Sequence, residues 1–510
     1  MPNRPWGHLR APSAAEVQGY AERLGWTLTA EELGLFTGAI AGSLTMLDSV
    51  EDIPDEVPAL KHHHRDPGHR PLPGEDPYNA VIQFCEVRGA ADGPLAGRTL
   101  GVKDCIAVAG VPMTNGGRRQ PVLVPTEDAV VIERLLDAGV TITAKTNLED
   151  LGFGLGEGSA FGPALNPLDP TRSTGGSSSG SGAGVASGLF DLALGADEAG
   201  SVRIPAAWCG LVGMKATHGL VPSYGMSYMN HTLDHIGPMT RTVADNALML
   251  EIMAGPDVRD PQWTRDLPAG PDLYTSVADT GVAGLRIGIL TDALGPAGVT
   301  EDVRMAFDIA TKRLEALGAS VSEVSVPLWA AASELSMATM PAGIGAMVRS
   351  TGTGSFQHLG RIDPQTVAVL AAQGRSGGDD LPPLLRMMML TEAHVQAAYD
   401  GLPFVKGHNL RLALRRQVDA ALGVYDVLVT PTTPTVAHEL FTDRVTLTEF
   451  MGRSVTATRN TGPLDQTGHP ALTVPCGTGE GGLPVGLQII GPRYGEKLCY
   501  QVGYAFEGAN

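Results

Sequence analysis

Two serines in small-residue runs and one lysine at the end of an apolar segment are the residues of this chain best suited to nucleophilic chemistry. The stretch Ser173 to Ser187 reads STGGSSSGSGAGVAS, with five glycines and six serines, and contains Ser177. Twenty-four residues beyond Ser177 (201 − 177), Ser201 sits in GADEAGSVRIP, Gly195 to Pro205. There Ala199 and Gly200 allow successive backbone N–H groups to point one way, the geometry that binds a developing oxyanion. A serine hydroxyl is a weak nucleophile until a base takes its proton, and neither run carries a histidine. Lysine can substitute. Lys103 ends the apolar run Thr99 to Lys103, and Asp104, one residue on, is expected on the other face and so not to pair with it. A free lysine with a pKa of about 10.4 is only about 0.1% neutral near pH 7.4, so a basic Lys103 requires burial to lower its pKa. A buried lysine, a bridging serine and a nucleophilic serine then form a proton relay.

Competing readings of the same residues are weaker. Gly176 to Gly180, GSSSG, matches the GxSxG elbow and would make Ser178 a nucleophile, but that elbow needs a preceding strand, and Asn166 to Thr174 has two prolines and no apolar run. As a flexible linker the serine run would be bounded by polar breaks; instead it flows into Val185, Leu189 and Phe190, so a buried, backbone-dense turn fits better. His62, His63, His64 and His69 invite a metal, yet three consecutive side chains cannot face one ion, and a solvated loop accounts for them. No metal site is expected. Cys85, Cys105, Cys209, Cys476 and Cys499 form no CxxC pair and are expected as buried thiols. Met337, Met340, Met347 and the run Met387 to Met389 suit either core filling or an adaptable pocket wall.

The elements that must position these residues alternate between strands and helices. Ala15, Val17, Tyr20 and Leu24, then Leu33, Phe36, Ile40, Leu44 and Leu47, repeat at helical spacing and predict two N-terminal helices. A Pro-, His- and Asp-rich loop from Val50 to about Tyr78 is expected to separate them from the rest, giving an N-terminal helical segment and linker, 1–75, and a catalytic domain, 76–510. Strands are predicted at 99–103, 140–144, 192–195, 285–290, 319–326, 427–430, 471–475 and 485–490, with helices at 129–138 and 301–317 among them. This is α/β patterning.

Composition narrows the function classes. The 510 residues carry 36 Lys plus Arg against 55 Asp plus Glu, a formal charge of −19, with no basic run that could displace counterions from nucleic acid. Hydrophobic residues at 43% and charged residues at 18% describe a globular chain. The apolar stretch Leu33 to Leu47 is 15 residues with three glycines, short of the roughly 20 of a spanning helix, so no membrane segment is expected. With no secretory pattern at the N-terminus, the default compartment is the cytoplasm.

Four long motifs, in one order, carry a family resemblance: GVKDCIAVAGVPMTNGG around Lys103, TGGSSSGSGAGVASGLFDLALGADEAGSVRIPAAWCGLVGMKATHGLVPSYG from Thr174, LDHIGPMTRTV from Leu233 and GLPVGLQIIG from Gly482. Together they resemble the amidase signature family over roughly Leu95 to the C-terminus. The resemblance implies a large twisted mixed sheet with helices on both faces. It also implies hydrolysis of carboxylic amides, with esters and carbamates as further substrates, through an acyl-enzyme and without metal or cofactor. It makes Lys103 the general base, Ser177 the bridging serine and Ser201 the nucleophile. The backbone N–H groups of Glu198, Ala199, Gly200 and Ser201 become the oxyanion hole, braced by Asp197 and Arg203, with Gly152, Phe153 and Thr174 beside the substrate. Two departures stand out: Ser179 replaces a usual glycine, and Glu198-Ala199 replaces a more usual pair. Glu198 is expected to point away from the hole, and Ala199 requires a position without positive φ. The N-terminal helices resemble those through which related amidases pair, implying a homodimer. The rival readings are the glutamine-hydrolysing subunit of a tRNA-dependent amidotransferase and a noncatalytic binding protein of the same fold.

Overall fold

The computed structural model describes residues 9–50, 53–54, 56–227, 229–260, 262, 273–295, 298–349, 360–376, 381–441 and 446–508. By internal contacts the chain divides into Met1–Ala59 and Leu60–Asn510. The first unit holds helices α1 (Ala14–Arg23) and α2 (Ala30–Val50). Ser13 caps α1 in a reciprocal box with Glu16, satisfying two backbone donors at once. Helix α2 buries none of its residues; it is 21 residues long and contains an 18-residue window of mean hydropathy 1.4, so by length and composition alone it could cross a membrane. The helix extends beyond the apolar run from Leu33 to Leu47 at both ends, so it passes a length and composition test that the run alone does not.

The second unit is built on one sheet of twelve strands: β1 (Arg65–His69), β2 (Val81–Arg88), β3 (Thr99–Lys103), β4 (Thr141–Thr146), β5 (Leu192–Asp197), β6 (Val212–Lys215), β7 (His235–Thr240), β8 (Arg286–Leu290), β9 (Ser320–Val324), β10 (Val427–Pro431), β11 (Ala471–Thr478) and β12 (Pro484–Ile490). Their spatial order is β1-β2-β4-β3-β5-β7-β6-β11-β12-β10-β8-β9. The sheet is mixed: β3 runs parallel to β4 and β5, and β8 to β9 and β10, while β5 and β7 are antiparallel. The expected loop from Val50 to Tyr78 therefore hides an edge strand. Its Pro and Gly obscure it, and antiparallel pairing of Arg65 with Val87 brings it into the sheet. Pattern reading also passes over β2, β6 and β7, of which β6 and β7 are buried at every position and show no alternation.

Helices α3 (Val130–Asp137), α4 (Ser179–Ser187), α5 (Arg203–Trp208), α6 (Val243–Met253), α7 (Glu301–Ala316), α8 (Ala332–Arg349), α9 (Pro364–Ser376), α10 (Pro383–Tyr399), α11 (Leu402–Leu422), α12 (Leu447–Thr458), α13 (Gly462–Thr467) and α14 (Glu496–Gly508) flank it. Strand alternation separates two cores. Leu192 and Leu194 of β5 pack with Leu135, Met249, Val502 and Phe506 on one side, while Ala193 packs with Ala183, Val185 and Phe190 on the other. Of the five cysteines, Cys476 is half-buried rather than buried, and all five are free thiols.

The serine-rich run is buried rather than a linker, and its second part, Ser179–Ser187, is a tightly packed helix. A Cβ at Gly180 would stand 2.2 Å from the Ala80 carbonyl oxygen, and one at Gly184 would stand 1.9 Å from the Phe190 ring. Only hydrogen fits at these positions, which lets α4 lie against β3, β4 and β5. Gly180→Ala is expected to lower unfolding free energy by about 1–3 kcal/mol through overpacking. Gly452→Ala, where nothing lies within 4 Å of the added carbon in α12, should be neutral or stabilising by up to about 1 kcal/mol. Urea unfolding of both variants checks the contrast, and equal effects would contradict it.

Candidate active site

Lys103 and Asp197 occupy the C-terminal ends of adjacent parallel strands, the edge at which open α/β sheets bind ligands. In β3, Leu100 and Val102 face the larger core, so alternation turns Lys103 to the opposite face, toward α4. Asp104 pairs elsewhere, as the sequence indicates: its carboxylate lies 2.9 Å from Lys145 Nζ and accepts from the Thr114 amide and hydroxyl. Lys103 Nζ lies 2.8 Å from Ser177 Oγ and donates to the Ala196 carbonyl at 3.3 Å. Burial pushes the Lys103 amine below the ordinary lysine range, against the raising pull of Cys105, Glu149, Asp197 and Asp234. The direction of the shift is the one that the sequence reading requires of a base.

Ser177 precedes α4 by two residues, after a cis Gly176–Ser177 peptide. Its neighbour Ser178 is pinned structurally. The Ser178 hydroxyl donates to the Ala196 carbonyl and accepts from the Ala196 amide, both at 3.2 Å, and no strand leads into it. Ser201 is half-buried at the turn before α5 and lines, with Ser177 and Lys103, one cavity of about 30 Å³. Ser201 also lines a second cavity of about 110 Å³, walled by Phe153, Met337, Met340, Leu384, Met387 and Met388. Four of the methionines singled out in sequence thus form a pocket wall. Met389 packs beside them, and the Met347 side chain lies outside the described residues.

A buried cation holds the turn that carries Ser201. Arg203 is fully buried, donating from Nε and Nη2 to Asp197 at 3.0 and 2.8 Å, from Nη2 to Asp465 at 2.7 Å, and from Nη1 to the Thr461 carbonyl and Gln488 at 2.9 Å. Burial alone would raise Asp197, but the charge and hydrogen bonds of Arg203 prevail and hold it below the usual carboxylate range. Asp197 also accepts from the amides of Gly200 at 2.7 Å and Val202 at 3.1 Å. The Gly200 amide is therefore occupied, which removes it from the expected oxyanion set. Among the described residues the amides of Ala199 and Ser201 carry no protein partner. Gly200 is required for a different reason: at φ 128° its missing Cβ would meet Thr461 Oγ1 at 2.2 Å. Ala199 does not adopt positive φ.

Glu198 lines both cavities, with its Oε1 buried and without a hydrogen-bond partner among the described residues. Burial, then the charges of Asp234, Asp465 and Asp197, push its carboxyl well above the ordinary range. Thr174 lines neither cavity; its fully buried hydroxyl donates to the Gly175 carbonyl at 3.1 Å. Gly152 and Phe153 do line the larger cavity. Sequence reasoning misses Asn115, Met226, Met229 and Asp234 in the smaller one. Asp234 accepts from the amides of Met229 and Asn230, and burial raises it to about 7. Its place inside the third family-like motif is the available signal. Asn115 and Leu151 both adopt positive φ, and the Leu151 amide donates to the Asn115 carbonyl at 2.7 Å. Left-handed backbone at a leucine is costly and is characteristic of functional sites.

The histidines paired with carboxylates, His62 with Asp137, His64 with Glu86 and His69 with Glu75, converge on no common point. Among the described residues no cluster of three metal-ligating side chains occurs.

Against known proteins, the family model described as Amidase matches residues 83–500. A glutamyl-tRNA(Gln) amidotransferase subunit from Natronomonas pharaonis is 39% identical over 431 residues, 84% of this chain and 99% of that one. An enantioselective amidase from Rhodococcus rhodochrous is 36% identical over 446 residues, 86% of this chain and 84% of that one. Among solved structures, a 6-aminohexanoate cyclic dimer hydrolase superposes with a TM-score of 0.71 at 26% identity, covering 82% of this chain and 86% of that one.

Removing the buried cation leaves two carboxylates without their partner. Arg203→Ala is expected to cost about 3–5 kcal/mol of unfolding free energy, the usual consequence of breaking a buried ion pair. Urea unfolding at neutral pH checks it, and a loss under about 1 kcal/mol would contradict the bracing role.

Proposed function

Because the chain belongs to the amidase family, we propose that it hydrolyses carboxylic amides to acid plus ammonia or amine, through an acyl-enzyme on Ser201. Esters and carbamates fall within the same chemistry. The observation that carries this reading is the buried Lys103 amine 2.8 Å from Ser177 Oγ, in a cavity that Ser201 also lines. In the proposed cycle neutral Lys103 takes a proton from Ser177, which takes one from Ser201, and Ser201 Oγ attacks the carbonyl carbon. In this reading the amides of Glu198, Ala199 and Ser201, which have no protein partner among the described residues, stabilise the resulting oxyanion. Water then releases the acid by the same relay. Neither metal nor cofactor takes part in this scheme.

The larger cavity supports an apolar acyl group. Unbranched thioether side chains repack around varied shapes, and Glu198 is the one charged-type residue among its described lining. This favours a free-standing enzyme over a glutamine-hydrolysing subunit, since the free amino acid's carboxylate would need a cation there. The second reading rests on the amidotransferase subunits to which the chain is similar. A homodimer through α1 and α2, and a cytoplasmic location suited to five free thiols, complete the proposal.

Ser201→Ala is expected to lower turnover of aryl and aliphatic amides by on the order of 10⁴-fold or more, measured as ammonia or amine release from the purified chain. Turnover of glutamine alone, and only with added partner subunits, would favour the second reading. The pH profile follows from the sign of the Lys103 shift. Its folded pKa is lowered, so kcat/KM should rise with pH through an ionisation below the ordinary lysine value and be lost as pH falls through it. A rate independent of pH across neutrality and the alkaline range would contradict Lys103 as base.

A further inference from the structure

The larger cavity has a polar side as well as its methionine wall. Helix α8 turns four residues into it, Ser333, Ser336, Met337 and Met340, which share one face at helical spacing. The two methionines continue the apolar wall formed with Met387 and Met388, while the two serines, both half-buried, set hydroxyls beside it. Among the described residues neither of these hydroxyls has a hydrogen-bond partner. The hydroxyls of Ser454 and Thr458, which line the cavity from α12, are different: each donates to a carbonyl one turn back in its own helix, that of Phe450 and that of Ser454, at 2.9 Å. Ser336 also lies beside the turn that carries Ser201. Its Oγ and the Ala199 Cβ stand 3.6 and 4.0 Å from the point that a Cβ at Gly462 would occupy. Glu198, in the same turn, completes the polar side.

A site with an apolar body and a few open polar groups selects ligands that match both. An acyl chain that is apolar throughout would strip water from the Ser333 and Ser336 hydroxyls and leave them unpaired, which is costly. A hydroxyl on the chain restores the pairing, because it donates one hydrogen bond and accepts others, as a serine does. Resting on the Ser201 reading above, we propose that Ser333, Ser336 and Glu198 determine specificity, and that the substrates are amides whose acyl group combines an apolar body with a hydroxyl on one of the first carbons after the carbonyl. The body lies along the methionines and the hydroxyl against the serines. Its position near the carbonyl follows from Ser336 and Glu198, which belong to or adjoin the turn of the nucleophile. The choice of a hydroxyl over a charged group follows from the lining. Among its described residues there is no lysine or arginine to hold an anion. Burial, then the neighbouring carboxylates, raise Glu198 and so favour the protonated acid over the anion that an ammonium would need.

The test compares kcat/KM for amides of one carbon skeleton: 3-phenylpropanamide, its 2-hydroxy and 3-hydroxy derivatives as separate enantiomers, and its 2-amino derivative. The full chain is compared with a double variant, Ser333→Ala with Ser336→Ala, and with Glu198→Leu and Met340→Ala. In the wild type the best hydroxy amide should exceed the unsubstituted amide by about 10-fold or more, the scale of one or two hydrogen bonds. The double serine variant should bring this ratio close to one, and Glu198→Leu should lower it severalfold. Met340→Ala, on the apolar wall, should lower both rates together and leave the ratio in place. Because each readout is a ratio within one preparation, partial misfolding does not move it. Hydroxy amides turned over no faster than the unsubstituted amide, or a ratio unmoved by the serine and Glu198 substitutions, would overturn the inference while the Ser201 reading stands. Preference for the 2-amino amide would overturn the assignment of a neutral group. Turnover that survives Ser201→Ala would instead overturn the acyl-enzyme reading, and this inference with it.

Discussion

Withholding water from one lysine is the constraint on which the rest of the site depends. An ammonium in solvent cannot act as a base near neutrality, and the neutral form of Lys103 is favoured because β3 carries it into a fully buried position. Burial has to be achieved without a carboxylate close enough to restore the charge. The strand alternation does this, since Asp104 leaves by the opposite face to pair with Lys145. Two of the carboxylates that do surround the site, Glu149 and Asp234, are themselves buried enough to be raised, to about 7, while Asp197 is held low by Arg203. The raised pair therefore supplies less opposing charge than its number suggests.

The second requirement is a rigid turn at Ser201, and it is met by charge rather than by apolar packing. Arg203 reaches β5 through Asp197, α13 through Asp465 and β12 through Gln488, so three distant segments share one guanidinium. The planar, five-donor fork makes that possible where a lysine could not. Asp197 in turn fixes the amides of Gly200 and Val202. The same carboxylate that orients the turn thereby decides which amides remain for an oxyanion.

Much of this is legible in sequence, for identifiable reasons. Strand β3 has its expected limits and β5 begins where expected, because each is a short apolar run that ends in a polar residue. The pair Lys103 and Ser177 follows from residue type and motif, and it is met by a 2.8 Å approach. What escapes has a common cause: the information is carried by non-local contacts. Edge strand β1 is defined by its pairing with β2, not by its own residues. Asn115 and Asp234 enter the small cavity from loops far from both serine runs. The raised carboxyl of Glu198 depends on burial and on the charges of Asp234 and Asp465, which no local pattern encodes. Thr174 belongs to a motif that implies a place beside the substrate, and tertiary burial turns it inward.

The edge strands have a bearing on how this large sheet survives in concentrated solution. A sheet of twelve strands ends in two rows of unpaired backbone groups, each a template for recruiting another chain. At one end β1 presents Arg65, Asp66, Pro67, Gly68 and His69, exposed apart from a half-buried Arg65, with a break in register between Asp66 and His69. At the other, β9 is Ser-Val-Ser-Glu-Val, short and largely exposed. Charge, proline and irregular pairing make the β1 rim a poor template for cross-chain strand addition, and β9 is short and carries Glu323. The same residues that hide β1 from pattern reading are those that keep the sheet from growing into a fibre.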